Sequence, residues 1–84
     1  MRLEVYYPQL TPDLDDVAAL VGLQLGRRTV RASDRIVEDL GAESADVVNI
    51  AAAVEDRWGV FLDETALARV STVADLHALI GRGG

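Results

Sequence analysis

The sequence predicts an all-α domain, a bundle of three long helices and one short one, with a long first connection and an extended N-terminal arm. Two observations carry that prediction. Apolar residues recur at three- and four-residue intervals in three separate stretches, and residues with cap or turn chemistry punctuate each of them. After Pro12 no stretch alternates with the period of two that a half-buried strand requires.

The elements follow in chain order. Leu3, Val5 and Tyr7 alternate with Arg2, Glu4 and Tyr6 until Pro8 stops the pattern, so residues 1–11 read as an extended arm that lies on the domain or pairs with a second copy. Thr11 is placed to cap the first helix, Pro12 suits its first turn, and Asp13, Asp15 and Asp16 favour the positive end of its dipole. Leu14, Val17, Leu20, Val21 and Leu25 give that helix one apolar stripe, and Gly26 suits its C-terminal cap.

Residues 26–43 show no sustained period. Ile36, Val37 and Leu40 are expected to tether this loop to the core, and Gly41 to turn the chain. The second helix is expected from Ala45 to Trp58 with Ser44 at its cap, burying Val47, Ile50, Ala51, Val54 and Trp58 and ending at Gly59. Val60-Phe61-Leu62 is an apolar connector, and Asp63-Glu64 opens a short third helix through about Ala68 that turns Leu67 and Val70 inward. Thr72 with Asp75 three residues on has the form of a capping box for a fourth helix burying Leu76, Leu79 and Ile80. The domain should therefore span residues 12–80, with a glycine-rich tail at 81–84.

Composition narrows the function. A chain of 84 residues folds as one domain that buries about two-thirds of its surface, so a deep cleft is not expected. Without cysteine there is no disulfide framework or thiolate metal site, and a single histidine builds no zinc centre. No apolar run approaches the roughly 20 residues of a membrane span and no signal pattern opens the chain, which reads as soluble and cytoplasmic; a monomer is expected. The net charge is −6, and residues 36–84 hold nine acidic against three basic side chains. That half repels nucleic acid and attracts partners with basic patches, although acidic small domains also serve solubility alone.

Ser44 is the residue of most interest. A serine opening a helix ordinarily accepts a hydrogen bond from a free backbone N–H, worth ~1 kcal/mol. The same position suits an esterified phosphate, because unpaired N–H groups and the helix dipole stabilise negative charge beside the hydroxyl. Nucleophilic catalysis lacks a base, since His77, the lone histidine, falls among Leu76, Leu79 and Ile80 as a rim or half-buried residue. Of Glu43, Asp46, Glu55 and Asp56, helical spacing spreads the last three around the surface without a walled cavity, so a docking face suits the group better than a metal or acid/base site.

From Ile36 to Ile80 the sequence resembles the acyl carrier protein family without an insertion. The resemblance lies in Val-Glu-Asp-Leu-Gly-Ala at 37–42, the Glu43-Ser44 pair, Asp46, the apolar face of the second helix, Trp58-Gly59, and the Ser-Thr-Val-Ala-Asp-Leu run at 71–76. It implies a right-turning four-helix bundle and a non-catalytic carrier. It also implies that a phosphopantetheinyl transferase attaches 4'-phosphopantetheine to Ser44, and that the arm holds acyl groups as thioesters.

By the same resemblance, Glu43, Ala45, Asp46, Val48, Ala52, Glu55 and Asp56 face acyl-loading enzymes, ketosynthases or other acyl-processing enzymes with basic docking patches. Ile36, Leu40, Val47, Ile50, Val54, Leu62, Leu67 and Leu76 correspond to a pocket that can shelter an acyl chain; otherwise they are an ordinary packed core. Glu43, Ala45, Asn49 and Ala52 depart from the pattern common in fatty-acid carriers, which hints at polyketide or other specialised biosynthesis. A peptidyl or aminoacyl carrier differs only in cargo, and its more usual Gly-Gly-His or Gly-Gly-Asp is Gly41-Ala42-Glu43 here. A non-modified interaction protein is the reading of a different class. A ubiquitin-like modifier ending in Gly83-Gly84 would need a sheet that the pattern does not supply.

Overall fold

The computed structural model describes residues 12–82, so the alternating arm, Thr11 and Gly83-Gly84 lie outside the described residues. Four helices follow in order: α1 (Leu14–Leu25), α2 (Ser44–Trp58), α3 (Glu64–Leu67) and α4 (Val73–Gly81). α1 packs against both α2 and α4, and α3 packs against α4. The core lies where these faces meet: Val17, Leu20 and Val21 of α1, Ile50 and Val54 of α2, and Val73, Leu76, Leu79 and Ile80 of α4 are all buried.

Each boundary has a local cause. Asp13 takes the cap position of α1, two residues after the threonine expected there, and its carboxylate makes no cap hydrogen bond. Pro12 instead receives a tertiary contact, its carbonyl accepting from His77 Nε2 at 2.8 Å. His77 is thereby half-buried and tied to the start of α1, which accounts for it without chemistry. α1 ends at Gly26, whose φ of 70° carries the chain out of the helix in a conformation that costs a side-chain-bearing residue dearly.

Thr72 and Asp75 form the expected capping box. Thr72 Oγ1 accepts from the Asp75 amide at 3.0 Å, and Asp75 Oδ2 accepts from the amides of Thr72 at 3.0 Å and Ser71 at 3.1 Å. Those two donors hold the Asp75 carboxyl below the ordinary carboxylate range. α4 then continues through Gly81, one residue into the stretch expected as tail.

The long connection is fastened rather than free. Ile36 N donates to Ser71 O at 2.8 Å and Val73 N to Asp34 O at 3.1 Å, with Arg35 and Thr72 forming an isolated antiparallel bridge. Beyond it the chain winds into a tight turn at residues 36–40, in which Asp39 N and Leu40 N both donate to Arg35 O. Asp39 grips Arg35 through a two-point ion pair at 3.1 and 3.2 Å and also accepts from the Arg35 amide. The guanidinium lowers the Asp39 pKa, and Asp39 in turn raises that of Arg35. Ile36 and Leu40 are buried as tethers, but Val37 is 53% exposed, because the turn directs Ile36 and Leu40 to the core and leaves Val37 outside.

Candidate functional site

Ser44 is the first residue of α2, and Glu43 stands at the cap position, so the serine sits one step further into the helix than expected. The cause is Asp46, whose Oδ2 accepts from the Glu43 amide at 2.9 Å and fixes the turn before the helix. The first ladder bond runs from Val47 N to Glu43 O at 3.0 Å, which leaves the Ser44 and Ala45 amides outside it. Ser44 is exposed, and its hydroxyl makes no hydrogen bond to another described residue. Ser44 therefore does not serve as the cap, and its hydroxyl is left without a structural partner among the described residues.

Behind Ser44, Gly41 has φ 73° and closes the preceding turn, its amide donating to Val37 O at 3.0 Å and that of Ala42 to Ile36 O at 3.1 Å. Ala42 is buried, so the segment before the serine is anchored immediately upstream. The hydroxyl is presented outward from a fixed backbone at the positive end of a 15-residue helix. An esterified phosphate fits this position, with open space around the oxygen and polarised amides beside it.

Beside Ser44 an open groove of about 580 Å³ runs between α2 and α3, lined by Ala42, Val47, Val48, Leu67 and Ala68, with Val37 at its edge and Glu43 and Glu64 at its rims. A neighbouring groove of about 370 Å³ continues along Val48, Ala52, Glu55, Phe61 and Leu67. Val48 is 64% exposed and Phe61 72% exposed, so this face offers an apolar strip among carboxylates. Val37, Phe61, Glu64 and Ala68 were given structural places by the sequence but were not among the expected site residues. Three of them sit in connectors or just past a helix end, where no periodicity marks them; for Val37 and Phe61 the usable signal is a large apolar residue that no helical stripe accounts for.

The expected docking residues separate into two groups. Glu43, Ala45, Val48, Ala52 and Asp56 are exposed along α2. Asp46 and Glu55 are half-buried and occupied, the first by the Glu43 amide and the second by the Leu62 amide, which donates to Glu55 Oε2 at 2.8 Å. Glu55 therefore holds the connector onto α2 as well as contributing charge. Of the expected pocket residues, Ile36, Leu40, Ile50, Val54, Leu62 and Leu76 are buried in the core, whereas Val47 and Leu67 are half-buried and line the groove beside Ser44. Among the described residues no group of histidine and carboxylate side chains is gathered as a metal would need, and no helix is long and apolar enough to cross a membrane.

Residues 15–80 match the family model described as the phosphopantetheine attachment site. Acyl carrier protein 3 of Ralstonia nicotianae is 38% identical over 69 residues, covering 80% of this chain and 79% of that protein. The acyl carrier protein of Campylobacter curvus is 36% identical over 72 residues, covering 83% and 94%. The solution structure of the acetyl form of the actinorhodin acyl carrier protein from Streptomyces coelicolor superposes with a TM-score of 0.70 at 25% identity, covering 87% of this chain and 91% of that one. The fold is accordingly the all-α acyl-carrier bundle expected from the sequence. The chain belongs to the acyl carrier protein family, non-catalytic proteins that bear covalently attached 4'-phosphopantetheine and work with a phosphopantetheinyl transferase and acyl-processing enzymes.

Proposed function

We propose that Ser44 is the attachment residue, and that the chain shuttles acyl groups between enzymes of fatty-acid, polyketide or other specialised biosynthesis. The observation that carries this reading is the exposed Ser44 hydroxyl at the first position of α2, relieved of capping by Glu43 and Asp46 and bordering an apolar groove. The attached group supplies the thiol that a cysteine-free chain lacks. Everything else in the site presents or shields that point.

Partner enzymes dock along α2 in this reading. Glu43 and Asp56 offer exposed carboxylates to basic patches, and Ala45, Val48 and Ala52 offer apolar contact, a combination that gives weak, salt-sensitive binding suited to release. Asp46 and Glu55 add negative charge from fixed positions. For the cargo, Val47 and Leu67 provide the accessible apolar wall, and Ile36, Leu40, Ile50, Val54, Leu62 and Leu76 the packed floor behind it. The likeness to a carrier solved in its acetyl form, and the apolar groove beside Ser44, favour acyl cargo over the aminoacyl cargo of a peptidyl carrier.

Intact-mass measurement after incubation with coenzyme A and a broad-specificity phosphopantetheinyl transferase tests the assignment. The wild-type chain gains one phosphopantetheinyl group, and Ser44→Ala gains none while keeping the same helical spectrum. An unchanged wild-type mass, or a modified Ser44→Ala chain, overturns the assignment.

A further inference from the structure

The exposed side of α1 carries a feature that the carrier reading leaves unused. Leu23 is 79% exposed, the highest value among the large apolar side chains of the described residues. It stands beside Ala19 over an open groove of about 460 Å³ between α1 and the loop that follows it. Ala18 and Val30 supply the apolar floor, Arg27 and Arg28 flank the groove, and Asp15 borders it further back along α1.

This groove is a built shape. A Cβ at Gly22 would fall 2.9 Å from the Arg27 carbonyl oxygen and 3.2 Å from Val30 Cγ2, so the loop rests directly on the helix and only glycine admits it there. Arg27 is further tied by a 3.0 Å hydrogen bond from its guanidinium to Leu40 O, in the segment that leads to Ser44. Arg28 is exposed, and among the described residues the ion pair within reach of a carboxylate is Arg35–Asp39, not one made by Arg28. The result is a basic and apolar surface on a chain of net charge −6, on a different element from the acidic strip of α2.

We propose that the α1 groove is a second docking site, whose occupant is a partner-protein segment with carboxylates flanking an apolar side chain. Charge complementarity selects that occupant: its carboxylates meet Arg27 and Arg28, and its apolar side chain covers Leu23 and Ala19. A basic segment is repelled from the same arginines and drawn to α2 instead. The two faces then sort partners by the sign of their docking patches. This inference does not depend on which serine is modified.

The test is an amide-shift titration by NMR of the full chain with a synthetic peptide of alternating glutamate and leucine, and in parallel with its lysine–leucine counterpart. The acidic peptide is expected to move the amides of Ala19, Leu23, Arg28 and Val30, and the basic peptide those of α2. Arg28→Glu should weaken the acidic peptide at least about fivefold and leave the basic one unaffected. Leu23→Ser, a change at an exposed position, should also weaken the acidic peptide. Acidic-peptide shifts on α2 or nowhere, or an affinity indifferent to Arg28→Glu, overturn the proposal. Groove shifts that grow with protein concentration in the absence of peptide would assign the surface to a second copy, and groove shifts produced without peptide by Glu4→Arg would assign it to the chain's own N-terminal segment; either also overturns it.

Discussion

α2 and α4 divide the labour of this small domain unequally. α4 spans nine residues and buries four of them, Val73, Leu76, Leu79 and Ile80; α2 spans fifteen and buries only Ile50 and Val54. α2 also rests Val47, Ala51, Ala53 and Trp58 half-buried against the core, and it is framed by a capping aspartate, a glycine with φ 66° at Gly59 and the Glu55 contact to the connector. The contrast teaches that α4 is spent mostly on the core, whereas α2 packs one face along its length and fixes its ends, so that its opposite face is left to partners. Substitutions should therefore act on stability through the buried face of α4, and on transfer through the exposed face of α2.

The largest effect expected on that division is Leu76→Ala. Leu76 is among the most deeply buried large side chains, and truncating a leucine in such a place costs about 2–5 kcal/mol through lost transfer energy and a residual cavity. Against a total stability of roughly 5–15 kcal/mol for a domain, that is a large fraction. Chemical denaturation should show the loss, while the variant, wherever folded, still accepts the phosphopantetheinyl group at the wild-type position. A Leu76→Ala chain of unchanged midpoint would remove the contrast between the two helices.

A sharper test lies within α2 itself, at two adjacent carboxylates. Asp56 is exposed, whereas Glu55 receives the Leu62 amide at 2.8 Å. Asp56→Arg should slow modification by the transferase on the order of threefold to tenfold at low salt, with the difference shrinking as salt is added and stability unchanged. Glu55→Arg should in addition cost about 1–2 kcal/mol, because it strips the acceptor from a partly buried amide. Equal stability of the two variants would show that Glu55 is only a surface charge. The pair also shows why charge reversal at both positions together would confound docking with folding.

Much of this was legible in the chain. The apolar stripes of α1 and α4, the Thr72–Asp75 box and the turn glycines Gly26, Gly41 and Gly59 are local signals, and local signals can be read from spacing. Ser44 as a candidate was legible too, through its place before an amphipathic run and its acidic neighbour. What spacing does not encode is which of two neighbouring residues caps a helix. Ser44 and Glu43 both have side chains able to cap, and the choice was settled by Asp46 reaching back to the Glu43 amide.

The tight turn at residues 36–40 was hidden for a related reason. It is closed by Arg35–Asp39 and by pairing with the start of α4, a contact between residues more than 30 positions apart. The grooves were hidden because they lie between elements, where Val37, Phe61 and Glu64 meet residues of α2 that no period links to them.

The smallest effect expected concerns acid, and it divides the fastenings of the molecule rather than its core. Asp75 is held below its ordinary pKa chiefly by the Thr72 and Ser71 amides, and Asp39 by its hydrogen bonds from Arg35. A carboxyl whose folded pKa is lowered contributes stability that is fully present above its unfolded value, about 3.9, and is lost as pH falls through the lowered folded value. The domain should therefore melt at a constant temperature from neutral pH down to about 5 as far as these two groups are concerned, and lose stability below about 4. Asp75→Asn, which keeps an acceptor oxygen but cannot titrate, should start less stable at neutral pH and fall less steeply in acid. Thermal melts of both chains across that range decide the matter. Parallel acid limbs would mean that the start of α4 and its pairing with the 34–36 segment do not depend on the Asp75 charge, and that burial, the Thr72 hydroxyl cap and the backbone pairing hold α4 without it.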